Sequence, residues 1–217
     1  MISAGFDTDI FPGLEQMAWL RTHTNLSWCG YYLAPAPSHQ NTSWMGNRAA
    51  LAAQGWRIAP IYVGQQVSGP GSKILSDGRG MVDGAEAASL MAGEGFPNDA
   101  CIYLDLENGA PLTNDQADYV ASWAWAVDYA GFRPGVYCSH GIAAAVSDLC
   151  PDARIWAFKV PTVDPTTTHG LVYPTPDPAG SGFPTAVAWQ RVQNTRLVLP
   201  GAPISTMVVD LSTAMDV

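Results

Sequence analysis

Apolar residues fall into eight short runs rich in β-branched and aromatic side chains, at residues 2–6, 28–33, 58–63, 101–106, 135–138, 155–160, 186–192 and 206–211. Several are almost continuously hydrophobic rather than alternating, as strands covered on both faces are. Between most of them the period lengthens to that of a helix. Residues 13–23 space Leu14, Met17, Ala18 and Arg21 at helical intervals, and residues 43–54 are rich in Ala and stop at Gly55. Residues 84–92 run into a Gly-rich "GEG", and residues 141–149 form a shorter segment. The strongest helical pattern is residues 114–130. Thr113 or Asn114 caps it, Asp115 sits in its first turn, Val120, Trp123, Ala124 and Val127 share one face, and Gly131 ends it.

Strand–helix alternation predicts parallel strands joined by right-handed crossovers. Eight strands in 217 residues suit an α/β fold, a single (β/α)8 TIM-type barrel over residues 1–217. An open doubly wound sheet shares the alternation, but neither glycine-rich nucleotide motif is present. The pattern breaks at residues 161–185, "PTVDPTTTHGLVYPTPDPAGSGFPT", too rich in Pro, Thr and Gly for a crossover helix. The barrel is therefore expected to be irregular in its last third.

Only 13% of the residues are charged, yet the run "CIYLDLENG" at residues 101–109 carries two acids. Strand side chains alternate, so Cys101, Tyr103, Asp105 and Glu107 share one face, and Ile102, Leu104 and Leu106 share the other. In a barrel the first set faces inward, and the acids come last, at the C-terminal end where barrel enzymes carry their chemistry. Asp7 ends the first run, Gln190 lies late in the seventh and Asp210 follows Met-Val-Val in the last. Asp9 fits better as a cap before Pro12–Gly13. Convergent acids raise the pKa of at least one member, and a protonated acid beside an ionised one is what glycosidic cleavage needs. Tyr62, Tyr137 and Trp189 lie near strand C-termini, where aromatic faces can stack on sugar rings.

The net charge of −9 disfavours a nucleic-acid partner and steering to anionic membranes. No apolar run is long enough to insert in a bilayer. The scattered histidines and the absence of C-x-x-C leave no metal-ligand pattern, so no metal and no cofactor is expected. Cys29 and Cys101 read as small core residues, and Cys138 and Cys150 flank one short helix as candidates for a disulfide. The opening "MISAGFDTD" lacks a basic-then-apolar secretory pattern, so the expectation is a mature domain or another export route.

In order along the chain, "GFDTD", "GYYLAP", "PIYVGQQ", "DGRGMVDGAEAA", "IYLDLENG", "WQ" and "VVDLS" resemble the family 25 lysozyme-type muramidases. They resemble more closely the glycoside-hydrolase-like barrel domains of actinobacterial and phage-associated proteins. The resemblance implies that Glu107 is the general acid and that Asp105 stabilises positive charge or orients a substrate N-acetyl group. It implies that Asp7 and Asp210 support that pair, and that Gln190 lines the cleft. It further implies a glycan substrate such as peptidoglycan, and an extracellular, cell-wall-associated or phage-encoded setting. The alternatives are a barrel that binds glycan without cutting it and, second, a Mg²⁺- or Ca²⁺-dependent hydrolase built on the acid cluster.

Overall fold

The computed structural model describes residues 1–109, 111–160 and 166–215. All eight expected strands form. They are β1 (Ser3–Asp7), β2 (Leu26–Tyr32), β3 (Arg57–Tyr62), β4 (Cys101–Leu106), β5 (Arg133–Ser139), β6 (Arg154–Phe158), β8 (Ala188–Val198) and β9 (Thr206–Ala214). A further short strand, β7 (Thr167–His169), lies in the Pro- and Thr-rich stretch, whose residues 161–165 fall outside the described residues. Strands β1 to β6 pair in chain order and in parallel, β6 pairs with β8, β8 with β9 and β9 with β1. Eight strands thus close into a TIM-type barrel, with β7 added on the edge of β8.

The last strand departs from the all-parallel expectation, because β9 runs antiparallel to both β8 and β1. Its connection explains this. A parallel return needs a dozen or more residues, whereas β8 and β9 are joined by residues 199–205, where Leu199 N–H donates to Ser205 O at 2.8 Å. Among the described residues no α-helix crosses from β6 to β8 either, where a single 3-10 turn forms at Pro178–Ser181. There Tyr173 and Ala186 enter the core, and Asn25 holds the segment by exchanging hydrogen bonds with the Tyr173 backbone at 2.8 and 2.7 Å.

Among the described residues, five α-helices cover the other strands. They are α1 (Leu14–His23), α2 (Arg48–Ala53), α3 (Asp77–Gly93), α4 (Asn114–Tyr129) and α5 (Ala143–Leu149). Of the two candidate caps for α4, Thr113 is the one used. It forms a capping box with Gln116, accepting from Gln116 N–H while its own N–H donates to Gln116 Oε1. Helix α2 starts later than its Ala-rich pattern suggests, because Gly46 has φ +79° and directs its N–H to the Glu94 carboxylate. Helix α3 starts earlier, at the Ser76 cap, and includes Gly80 and Gly84. The sequence pattern begins the helix only at Gly84, but both glycines let α3 lie directly on α4: a Cβ on Gly84 would sit 2.6 Å from Trp123 O.

The alternation in β4 is as expected. Tyr103 packs inside the barrel with Trp28, Ile61 and Trp156, while Ile102, Leu104 and Leu106 join the core beneath the helices. The proposed Cys138–Cys150 bridge is not formed. Both thiols are free, Cys138 sealed in the core under the helices and Cys150 at the end of α5, and burial pushes them up to about 12 and about 11.

Two substitutions in α3 test the contact with α4. Gly84→Ala is expected to destabilise by roughly 1–3 kcal/mol, since the obstructing atom belongs to the backbone. Gly93→Ala meets nothing within 4 Å and is expected to gain about 0.5–1 kcal/mol. Denaturant unfolding of both variants reads the difference in sign.

Candidate active site

The C-terminal ends of β1 and β4 and the middle of β9 bring Asp7, Asp105, Glu107 and Asp210 to one cleft, with Gln190 and Tyr137. Asp7 and Asp210 are direct neighbours in the β1–β9 register. Asp210 is not late in its strand. It reaches this end because β9 runs downward into the barrel. Gly30 on β2 leaves the room Asp7 occupies, as a Cβ there would lie 2.5 Å from Asp7 Cβ.

The acids differ in exposure. Asp7 and Asp105 are 5% and 7% exposed, whereas Glu107 stands exposed at the mouth. Asp7 Oδ1 accepts from the Tyr32 hydroxyl at 2.9 Å, but Asp7 Oδ2 and Asp105 Oδ1 are buried without a partner among the described residues. Burial holds the Asp7 carboxyl well above the usual carboxylate range, and the charge of Asp210 adds to it. Burial likewise raises Asp105, followed by the charges of Glu107 and Asp210. Asp210 is pushed up to about 6 by burial, against hydrogen bonds from Asn194 N–H at 2.6 Å and the Gln190 amide at 3.0 Å. A cluster of this kind retains protons on its buried members while presenting one carboxyl to solvent.

The cleft has two lobes sharing Asp7, Tyr32 and Asp210. The narrow lobe, a cavity of about 30 Å³, lies over Asp105, Glu107, Tyr137 and Gln190. The wider lobe, about 220 Å³, is bordered by Thr8, Asp9, Asn194 and Val208. Asp9 is no helix cap, since Gly13 precedes α1 and no side chain caps it. Among the described residues, no three His, Cys, Asp or Glu side chains are grouped so as to hold a metal ion.

Two expected cleft residues lie elsewhere. Tyr62 points outward under the helices, where its hydroxyl donates to Glu86 at 2.9 Å and its ring centroid is 6.4 Å from that of Trp123. Trp189 also points outward, donating its indole N–H to Lys159 O at 3.1 Å beneath the Arg191 guanidinium. Side-chain parity accounts for both: Ile61 and Gln190 line the cleft, so their chain neighbours face away.

Three further residues serve the site. Tyr32 bonds Asp7. Trp156 forms part of the floor, edge-on to Tyr137 at 5.4 Å between centroids. Gln66, which is 4% exposed, clamps the end of β4: its amide donates to Asp105 O at 2.8 Å, and its Oε1 accepts from Glu107 N–H at 3.2 Å. Strand parity could have found Tyr32 and Trp156. Gln66 lies in a loop, and no periodicity signals it.

The model of the Rv2525c-like, glycoside hydrolase-like domain family matches residues 18–196. No curated protein matches the chain by sequence. Among solved structures, an uncharacterized B. stearothermophilus protein aligns at TM-score 0.63 with 16% identity, over 98% of this chain and 95% of that one. A family 25 glycosyl hydrolase from Bacillus anthracis aligns at 0.61 with 13% identity, over 99% and 89%. The bacterial lysozyme from Streptomyces coelicolor aligns at 0.61 with 13% identity, over 98% and 92%. At such identities the likeness is one of fold, and it agrees with the motif order read from the sequence. With more than half of its length matched, the chain belongs to the family of Rv2525c-like, glycoside hydrolase-like domains.

Proposed function

We propose that this domain is a glycoside hydrolase that cleaves a glycan containing N-acetyl sugars, the peptidoglycan of cell walls, and that it works in an extracellular or wall-associated setting. The observation that carries the reading is one exposed carboxyl, Glu107, directly beside buried acids that retain protons. Glu107 is exposed to an incoming polymer, with Asp7 and Asp105 deeper in the cleft. Glu107 gives its proton to the glycosidic oxygen as the bond from the anomeric carbon breaks. Water then supplies hydroxide to that carbon and returns a proton to Glu107. Asp105, on the same face and kept protonated by burial, orients the sugar's N-acetyl group, whose carbonyl oxygen stabilises the positive charge at the anomeric carbon. Asp7 and Asp210 set the charge state of the pair, and Gln190 and Tyr137 border the sugar.

One observation favours a second reading, a barrel that binds glycan without cutting it: the lobe over Glu107 holds only about 30 Å³, far less than a sugar ring occupies, and the roomier lobe lies to one side. Wild-type protein that binds chitin-type or peptidoglycan oligosaccharides and releases no reducing ends would establish it.

Glu107→Gln is expected to lower the release of reducing sugar from peptidoglycan by at least about 10²-fold, with an unchanged unfolding midpoint because the side chain is exposed. Equal activity in the variant would overturn the assignment of the acid.

Gln66→Ala is expected to reduce kcat at least roughly tenfold with little change in KM, and to cost about 1–3 kcal/mol of stability, because one buried and one partly buried hydrogen bond at the end of β4 are lost. Steady-state kinetics separate this positioning role from general destabilisation, which leaves kcat per folded molecule unchanged.

The acid cluster also ties stability to pH. Asp210 titrates near about 6 in the fold, against about 3.9 in an unfolded chain. The folded state therefore binds the proton more tightly. The stabilisation is complete below about pH 4 and is lost as pH rises through about 6. Asp7 and Asp105, also raised by burial, contribute in the same sense. Thermal melts across this range should show Tm falling as pH rises, with a shallower fall in Asp210→Asn.

A further inference from the structure

The wider lobe of the cleft has no ligand assigned to it, and its chemistry is one-sided. It holds about 220 Å³. Asp7 walls it at the end of β1, with Thr8 and Asp9 just beyond, Tyr32 of β2, Asn194 of β8, and Val208, Val209 and Asp210 of β9. Three acids therefore border one space. Asp7 and Asp210 are register partners, and the charge of Asp9 reaches both and raises each carboxyl.

The deepest of the three is incompletely satisfied. Asp7 is 5% exposed, its Oδ1 takes the Tyr32 hydroxyl, and its Oδ2 is buried without a partner among the described residues. No Lys, Arg or His lines either lobe among the described residues, although five acids do. Like charges held together and out of water need a proton or a cation to offset them.

The kind of cation follows from the arrangement. Among the described residues the acids are not grouped so as to hold a metal ion, which draws its oxygen ligands to short distances around one point. An ammonium group asks less of the geometry. It accepts longer contacts, of about 2.7–2.9 Å, and aims three N–H donors in different directions. A hydroxyl or an N-acetyl amide brings donors without charge and leaves the repulsion among the three acids in place. The lobe is smaller than the roughly 300–1,000 Å³ of a whole small-molecule site, which suits one group projecting from a polymer. Val208, 50% exposed, and Val209 add apolar surface for the carbon skeleton that carries the amine.

We propose that the wider lobe is a subsite for a primary ammonium group carried by the glycan, beside the bond that Glu107 reaches, with Asp7, Asp9 and Asp210 as its acceptors. The cation takes the place of the proton that burial otherwise keeps on Asp7. The substrate class narrows to a glycan that bears an unacetylated amino sugar or a diamino acid on an attached peptide. This inference rests on the glycan reading of the cleft.

Isothermal titration at constant ionic strength tests it, in the Glu107→Gln protein so that no bond is cut. The pH is held near about 6, below the ordinary pKa of an amine. The sugar probes are the glucosamine trimer and its tri-N-acetyl form. The peptide probes are Nα-acetyl-lysine amide and its Nζ-acetyl form. Within at least one pair the free amine is expected to bind at least roughly tenfold tighter, and the pair that shows this identifies the source of the amine. Adding Asp9→Asn should remove most of the preference, whereas adding Asp128→Asn on the outer surface of α4 should retain it. Asp9 is exposed, so its variant should fold, and a thermal melt checks that it does. The proposal is overturned if neither pair prefers the free amine, if Asp9→Asn keeps the preference, or if Asp128→Asn lowers it equally, which is diffuse attraction to an acidic protein. Failure of the hydrolytic reading shows separately, as wild-type protein that releases no reducing ends.

Discussion

Trp156 stands at the centre of the closed sheet, and three rings meet it edge to face: Trp28 at 5.3 Å, Tyr103 at 5.5 Å and Tyr137 at 5.4 Å. A barrel of eight strands has to fill its own interior, and here aromatic rings from β2, β4, β5 and β6 do so. Such edge-to-face contacts add about 0.5–1.5 kcal/mol each beyond the area they bury. The rings also divide the interior into two compartments. Acids lie on the C-terminal side and arginines on the N-terminal side.

The chemistry of the cleft follows from that division. Asp7 and Asp105 are raised mainly by burial, which the aromatic floor and the surrounding strands impose. Mutual repulsion comes second in both cases and depends on register: Asp7 faces Asp210 directly across the β1–β9 pair. Closure of the sheet therefore does electrostatic as well as structural work. It forces four carboxyls from three strands into one space and leaves Glu107 at the mouth.

The end of β4 is held from a distance as well. Gln66 fixes the backbone at Asp105 and Glu107, and its neighbour Gln65 is anchored through the Asp83 carboxylate and the Tyr119 hydroxyl, between α3 and α4. Asp83 also pairs with Arg79 at 2.5 Å. The close approach of α3 and α4, permitted by Gly80 and Gly84, thus bears on the position of the candidate acid through a continuous set of hydrogen bonds.

The strands, the strongest helix and the two faces of β4 were legible along the chain, because these are matters of period and need no partner. It also placed Asp105 and Glu107 together, since two-residue spacing on a strand fixes a shared side. Strict strand alternation turns Tyr62 and Trp189 outward and Tyr32 and Trp156 inward. Features that depend on contacts between distant residues emerge only on folding. The antiparallel entry of β9, which carries Asp210 to the site from the opposite direction, is one. The grip of Gln66 on β4, the glycine contact that extends α3, and the gathering of arginines below the aromatic floor are others. Each arises from closing the sheet and docking the helices, where position is set by register and by space, and neither is written in any local pattern.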